Sequence, residues 1–285
     1  MADDIFKKLI PTPSITFEPV QKCIYCGSGE RLSDEHIVPF ALNGTMILPK
    51  SSCSVCRDIT SKFELTVTRA MYGVLRNKRN YKTRHKKKRP SSLPVSYSTS
   101  EGAIKSIDFA MADYPSTYFV AYLPPPGVLT GAPLTDRNPE GIRLDLRCDP
   151  NEIERAISSI GSENIALSLG NIFPYGDFYR LLAKIAHGFL VASYGQAGYV
   201  AFLPDIILGR SPYLAHYVGG LGGDASVHMM SHHVSLVCLP VDDVVYLTVN
   251  IQLLGGVTMP TYQVIAAKIT DFKLLTEIFY SKNAK

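Results

Sequence analysis

Two pairs of cysteines lie near the start of the 285-residue sequence, at spacings that suit a metal ion. Cys23 and Cys26 form one Cys-x-x-Cys knuckle, Cys53 and Cys56 form another, and 26 residues lie between the two pairs. Two such knuckles can bring four thiolates to one tetrahedral ion, and Gly27 lets the chain turn tightly after the first knuckle. The pattern predicts a structural Zn²⁺ site, with two disulfides or four unligated thiols as the alternatives.

An acidic residue and a histidine lie next to each other between the knuckles, as Glu35 and His36, and the sequence continues Ile-Val-Pro. A carboxylate offers a hard oxygen ligand to Mg²⁺, and a neutral imidazole can take a proton from water near pH 7. A lone histidine in a strand is usually structural, but the position between two metal knuckles favours a catalytic role.

Residues 21–76 resemble the HNH endonuclease family. The likeness rests on the Cys-x-x-Cys-Gly knuckle, the acidic-His-hydrophobic-hydrophobic-Pro segment and a second Cys-x-x-Cys that opens a helix. The resemblance implies a ββα-metal fold, with His36 as general base and Glu35 as the first ligand of a catalytic Mg²⁺ or Mn²⁺. The family commonly has His or Asn directly after the second knuckle. This sequence has Arg57 there, which has only donor groups and cannot bind a metal.

Asp58 is the nearest substitute for that missing metal ligand, since its carboxylate has the right hard oxygen. A shift of one residue along a helix turns a side chain by about 100°. Asp58 could instead cap the helix that follows the second knuckle. The family's middle Asn, which orients the base, also has no match between Thr45 and Cys56, because Asn43 lies too early. The sequence leaves the second ligand open.

The stretch from Arg76 to Arg89 carries nine Lys or Arg residues and no Asp or Glu. The whole chain has a net charge of +4, so these nine charges leave −5 elsewhere. Cations concentrated beside the proposed active site predict contacts with nucleic-acid phosphates, DNA being favoured. A solvated linker or a localisation signal is the alternative. The predicted nucleic-acid-binding residues are Arg76, Lys78, Arg79, Lys82, Arg84, Lys86, Lys87, Lys88 and Arg89.

The elements that must position these residues follow from hydrophobic periodicity. One amphipathic helix is predicted after the second knuckle, its apolar face on the hairpin that carries His36. Zinc would supply the stability that so small a core lacks. The repeating apolar residues of this helix are Ile59, Phe63, Val67, Met71 and Leu75.

The remaining sequence predicts a second, mixed α+β domain with antiparallel strands. Its elements are a half-buried strand over 142–148, helices over 149–161, 177–194 and 270–280, and a hairpin of 234–239 with 244–253 around Asp242-Asp243. The predicted organisation is an extension (1–20), a zinc-stapled HNH-like unit (21–76), a basic linker (77–92) and the α+β domain (93–285). That last domain could bind substrate, sense a signal, or mediate assembly with a second copy or a partner protein.

The histidines outside this segment give weaker evidence of function. His228, His232 and His233 lie in a segment that reads as a strand, where His228 and His232 would be roughly 13 Å apart, so they are interpreted as structural or surface residues. His187 lies with Arg180 and Lys184 on a predicted helix. The sequence allows either a polar face or a ligand site there.

Composition is that of an ordinary globular protein, with 46% hydrophobic and 19% charged residues. The first residues lack the apolar core of a secretory signal, and no apolar run is long enough to cross a membrane. With four cysteines committed to a metal, a cytoplasmic location is expected.

The functional hypothesis is an HNH-type metal-dependent endonuclease that hydrolyses phosphodiester bonds, of a family typical of restriction and phage defence. The first alternative is a non-catalytic zinc-knuckle module with a degenerate metal site that binds nucleic acid. The second is an assembly protein that acts through residues 93–285.

Overall fold

A computed structural model of the protein describes residues 14–83, 89–99, 101–136, 140–160, 165–167, 173–222, 226 and 231–283. Its strands are β1 (Ile15–Thr16), β2 (Ser33–His36), β3 (Met46–Ser52), β4 (Ser92–Ser98), β5 (Ile104–Ala110), β6 (Thr117–Tyr122), β7 (Arg143–Cys148), β8 (Ile165–Leu167), β9 (Tyr199–Ala201), β10 (Val218–Gly220), β11 (His233–Val241), β12 (Val244–Gln252) and β13 (Tyr262–Ile269). Its helices are α1 (Ser54–Ala70), α2 (Gly73–Lys78), α3 (Gly127–Thr130), α4 (Pro150–Ile160), α5 (Tyr175–Tyr194), α6 (Leu203–Ile207), α7 (Leu214–Tyr217) and α8 (Phe272–Asn283). The predicted mixed α+β class with antiparallel strands is confirmed.

The N-terminal part is a small three-stranded sheet followed by a helix. β2 and β3 pair antiparallel, β1 adds a parallel strand along the other edge of β3, and α1 follows directly. His36 is the last residue of β2, opposite Ile47 of β3. Ile37 and Val38 are fully buried immediately after it. The backbone at His36 is therefore anchored in the core, while the His36 side chain is half-buried.

The single helix predicted over residues 59–75 is two helices in the structure. α1 ends at Ala70, and two residues separate it from Gly73, where α2 begins. Phe63 is buried on α1 as predicted, but Leu75 reaches the core from α2. Tyr72 leaves the helical conformation, with φ −126° and ψ 10°. Glycine is a poor helix former, so the chain breaks at this point at little cost.

Helix α5 is the element around which the larger part of the molecule packs. It lies between α1 and strands β12 and β13. The helix predicted over 177–194 is confirmed, and Phe178 and Leu182 are fully buried on it. Lys184 and His187 are buried as well, so these two residues do not form a solvated polar face.

Strand β7 is partly exposed on both faces. Leu144 and Leu146 are 37% and 36% exposed, whereas Asp145 and Arg147 are half-buried. The predicted burial of the apolar face of this strand is therefore wrong. On the other face, Arg147 Nη2 donates to Tyr122 Oη at 3.0 Å and to Asp145 Oδ2 at 3.1 Å.

The hairpin predicted around Asp242 and Asp243 is confirmed, because β11 and β12 pair antiparallel and these two residues form the loop. α4 and α8 confirm the other two predicted helices. At the start of α4, Asp149 Oδ1 accepts a hydrogen bond from the amide of Asn151 at 2.9 Å, as expected of a capping residue. Gly161, the predicted end of that helix, lies outside the described residues.

One hydrophobic core contains residues from both sides of the predicted domain boundary at residue 93. Phe63 belongs to the same buried cluster as Phe178 and Val249. The division into two domains stays a prediction. A smaller cluster around Val95 and Phe109 lies between the sheet of β5, β4 and β8 and helix α4. Among the described helices, none combines the length and apolar character needed to cross a membrane.

Candidate functional site

The four knuckle cysteines meet in space. Their sulfur atoms all lie within 4.8 Å of one another, and the Sγ atoms of Cys26 and Cys53 are 3.7 Å apart. A tetrahedral zinc ion with Zn–S bonds of about 2.3 Å separates its sulfurs by about 3.8 Å. A disulfide would require about 2.05 Å. The donor set therefore fits one structural Zn²⁺, as the spacing predicted, and the four thiols are not paired in disulfides.

Backbone hydrogen bonds shape the two knuckles around this site. The amide of Gly27 donates to the carbonyl of Cys23 at 2.8 Å, and the φ of Gly27 is 78°, in the left-handed region that glycine favours. The second knuckle forms the first turn of α1, where the amide of Arg57 donates to the carbonyl of Cys53 at 2.9 Å. Burial raises the pKa of the Cys56 thiol. A bound cation would thus be needed to hold this sulfur as a thiolate.

A buried lysine joins helix α5 to the segment that carries Glu35 and His36. Lys184 Nζ lies 2.7 Å from Glu35 Oε1 and 2.7 Å from Glu64 Oε1. It also donates to the backbone carbonyls of His36 and, at 3.3 Å, Ile37. Burial alone would lower the pKa of Lys184, but the charges of the two carboxylates raise it above its usual value. The lysine is therefore an ammonium ion in the folded protein.

These contacts do not fit the predicted magnesium site at Glu35 and Asp58. Glu35 is buried, and one of its oxygens already holds an ammonium ion. Asp58 has a 70% exposed side chain that pairs with Arg57 at 3.6 Å, and it does not line the cleft that Glu35 lines. Asp58 lies inside α1, whose N-cap position is Cys53, so the alternative capping role is wrong.

His36 lines a large cleft that is rich in cations. The cleft has a volume of about 1030 Å³ and runs between β2, α1, α2 and the start of β4 and β6. The His36 ring packs edge-on against Phe40, with 5.3 Å between ring centroids. The described Lys and Arg residues that line it are Arg57, Lys62, Arg69, Arg76, Lys82 and Arg89, and the described acids are Asp34, Glu35 and Glu64.

Most described cations of the predicted basic run bind groups of the protein itself, including two that line the cleft. Arg76, Lys82 and Arg89 line the cleft. Arg76 also donates to the carbonyls of Ala41 at 2.6 Å and Thr68 at 3.2 Å, and Arg89 donates to Asn80 Oδ1 and to the carbonyl of Tyr81. Lys78 instead donates to the carbonyl of Tyr114 at 2.7 Å and pairs with Glu152 at 2.8 Å, and Arg79 donates to the carbonyl of Gly255 at 3.0 Å. The predicted nucleic-acid-binding residues Arg84, Lys86, Lys87 and Lys88 lie outside the described part of the chain.

Sequence reasoning missed the cations that α1 contributes. Lys62 and Arg69 are seven residues apart on α1, as are Arg57 and Glu64, and a separation of seven puts helical residues on one face. That regular spacing was visible in the sequence. The role of Lys184 was not visible, because nothing local distinguishes a buried lysine from a solvated one.

The remaining histidines are structural where they are described. His232 is buried, and its Nε2 lies 2.8 Å from the carbonyl oxygen of Leu42, while its Nδ1 accepts from the amide of Leu254 at 3.3 Å. His233 is exposed at the start of β11, and His228 lies outside the described residues.

Comparison of the chain with protein-family models, with curated proteins and with solved structures gave no match. The cysteine cluster, the buried Lys184 network and the cationic cleft at His36 are therefore the features from which a function can be inferred.

Proposed function

We propose that the chain is an HNH-type, zinc-stabilised protein that binds nucleic acid in the cleft at His36. One observation supports this proposal most directly. Among the described residues, six Lys or Arg side chains line one cleft against three acids, and Lys184 adds one positive charge that Glu35 and Glu64 share. A groove with this excess of positive charge attracts a phosphodiester backbone, and an arginine such as Arg69 can bind two phosphate oxygens at once.

The order of elements supports the HNH part of the proposal. Strands β2 and β3 and helix α1 follow one another as in the ββα unit that the resemblance implies. The cysteine cluster ties the loop before β2 to the start of α1. His36 ends β2, which is where the resemblance puts the general base, and its side chain reaches the cleft.

Hydrolysis of the bound phosphodiester is the second candidate function, and the location of His36 in the cleft favours it. In that reaction His36 would take a proton from the attacking water while the phosphorus–oxygen bond to the leaving group breaks. Arg57 and Arg69 would stabilise the charge that develops on the phosphate. Because Glu35 and Asp58 do not form the predicted magnesium site, no step is assigned to a metal.

Binding is tested by removing one cleft charge and one matched charge elsewhere. Arg69→Gln removes a cation from the cleft, and Arg210→Gln removes an exposed one that pairs with Asp205. The plot of log K against log [salt], for a double-stranded DNA and for a single-stranded RNA, should flatten by about 0.7–0.9 for Arg69→Gln. Arg210→Gln should leave it unchanged. Equal slopes in all three proteins would exclude the cleft as the binding site.

Cleavage is tested on the same preparations, with supercoiled plasmid and with RNA, with and without Mg²⁺ or Mn²⁺. If His36 is a general base, His36→Ala should slow cleavage about 100-fold to 10,000-fold and leave binding unchanged. Binding without cleavage by the parent protein would identify a binding module. Cleavage by His36→Ala at the parental rate would exclude the hydrolytic role of His36.

A further inference from the structure

The surroundings of the Lys184 ammonium are those of a metal ion rather than of a typical surface ion pair. Its side chain is fully buried, and four oxygen atoms surround Nζ. Two are carboxylate oxygens, from Glu35 and Glu64, each 2.7 Å away. Two are backbone carbonyl oxygens, from His36 and Ile37. We refer to these four oxygens as the Lys184 cage.

The chemistry of this cage is that of a hard-cation site. Carboxylates combined with backbone carbonyls are the usual ligands of Ca²⁺, and Mg²⁺ also prefers oxygen. The oxygens come from β2, from the residue after it and from α1, so they converge from separate parts of the chain. A lysine side chain that enters such a set from α5 supplies one positive charge where an ion would supply two.

We propose that Lys184 is a built-in substitute for a divalent cation, so that the native protein does not bind Mg²⁺ or Ca²⁺ at Glu35 and Glu64. An ion that shared these carboxylate oxygens would lie next to the ammonium, and the two positive charges would repel each other strongly in a buried site. The cage is a property of the fold and would exist whether or not the cleft binds nucleic acid.

The proposal predicts that a divalent site appears when the lysine is removed and space is left behind. Lys184→Ala leaves two carboxylates, two carbonyls and a space that an ion with its waters can fill. Lys184→Met also removes the charge, but its side chain has nearly the same length and fills that space. The pair of variants therefore separates loss of charge from creation of a site. In Lys184→Ala/Glu64→Gln, one carboxylate of the new site is removed as well.

The measurement is the thermal unfolding midpoint of zinc-saturated protein with increasing CaCl₂ or MgCl₂, at an ionic strength held constant with NaCl. At 100 times the dissociation constant, the ion should raise the midpoint of Lys184→Ala by about 5–10 °C. Wild type and Lys184→Met should show no saturable rise, and the double variant should show a smaller one. A rise in Lys184→Met equal to that in Lys184→Ala, or no rise in either, would overturn the proposal.

A second experiment uses the native protein and therefore does not depend on a destabilised variant. Calorimetric titration of wild type and of Glu35→Gln with Mg²⁺ and Ca²⁺ should give no saturable heat in either protein. If wild type binds about one ion per chain and Glu35→Gln loses that binding, the cage holds a metal in addition to Lys184, and the proposal is wrong. If Lys184→Ala does not fold without ions, recovery of folded protein on addition of Ca²⁺ supports it, and failure to recover counts against it.

Discussion

Acidification is expected to destabilise this protein through His187, a buried base at the centre of α5. The side chain is 2% exposed, and Nε2 lies 2.8 Å from the carbonyl oxygen of Ile24 in the first cysteine knuckle. A carbonyl only accepts hydrogen bonds, so Nε2 carries the hydrogen and Nδ1 is the nitrogen that would be protonated next. Nδ1 is buried and makes no hydrogen bond within the described residues. Burial accordingly lowers the pKa of His187 to about 4.

The sign and size of the effect follow from this lowered pKa. Between pH 6.5, the ordinary value for histidine, and pH 4, the unfolded chain binds a proton at His187 that the folded protein does not. The free energy of unfolding therefore falls as the pH falls through this window. Above pH 6.5, His187 does not make the free energy of unfolding depend on pH. A difference of about 2.5 pH units corresponds to about 3 kcal/mol.

The assay is urea unfolding of wild type and of His187→Gln at pH values from 7.5 to 4.0. Glutamine can still donate to the Ile24 carbonyl, but it does not titrate in this range. Both proteins retain the four cysteines, so release of zinc in acid should affect both and cancel in their difference. The stability of wild type relative to the variant should decline by about 3 kcal/mol as the pH falls from 7 to 4. Parallel curves for the two proteins would refute the assignment.

Three further predictions concern other parts of the molecule. Cys53→Ser should lose the single zinc per chain that elemental analysis of the parent is expected to find; a parent without zinc would contradict the metal site. Lys78→Met breaks a largely buried pair with Glu152 and should cost about 1–3 kcal/mol in chemical unfolding. Burial would raise the pKa of Glu152, but hydrogen bonds from Lys78 lower it. The stability that the pair contributes should therefore be present above the ordinary carboxyl pKa and lost as the pH falls through the folded pKa. The variant should not show this pH-dependent loss. Replacing residues 86–88 with glutamine should reduce the slope of log K against log [salt] for nucleic-acid binding by about 0.7–0.9 for each phosphate that is no longer neutralised. An unchanged slope would indicate that this stretch is a linker.

The four-cysteine cluster could be predicted because its determinants are largely local. A Cys-x-x-Cys pair holds its two sulfurs close to each other whatever the rest of the chain does, and only the meeting of the two pairs needed the fold. The helices of residues 149–161 and 177–194 and the hairpin at Asp242 were predictable for the same reason, since periodicity, caps and turns act over a few residues.

The orientation of polar and apolar faces was predictable only where one face packs on the core. Alternation in residues 142–148 indicated a strand correctly, but Leu144 and Leu146 on its apolar face are exposed. Neither face of this strand is fully buried, and on the polar face Arg147 bonds to Tyr122 and Asp145. Four of the five described cations in the basic run likewise bind groups of the protein itself, because acceptors of the folded chain lie within their reach; they are Arg76, Lys78, Arg79 and Arg89.

The sequence by itself determined the four-cysteine cluster that fits a zinc ion, the hairpin that carries His36 and the start of a helix after the second knuckle. Only the tertiary structure decided the charge state around Glu35. Lys184 is 149 residues from Glu35 in the chain, and its ammonium meets Glu35 and Glu64 because α5 packs on α1. The burial of a charge and the identity of the opposite charge that compensates it depend on residues that the fold brings together. The spacing of residues along the sequence does not indicate which residues these are.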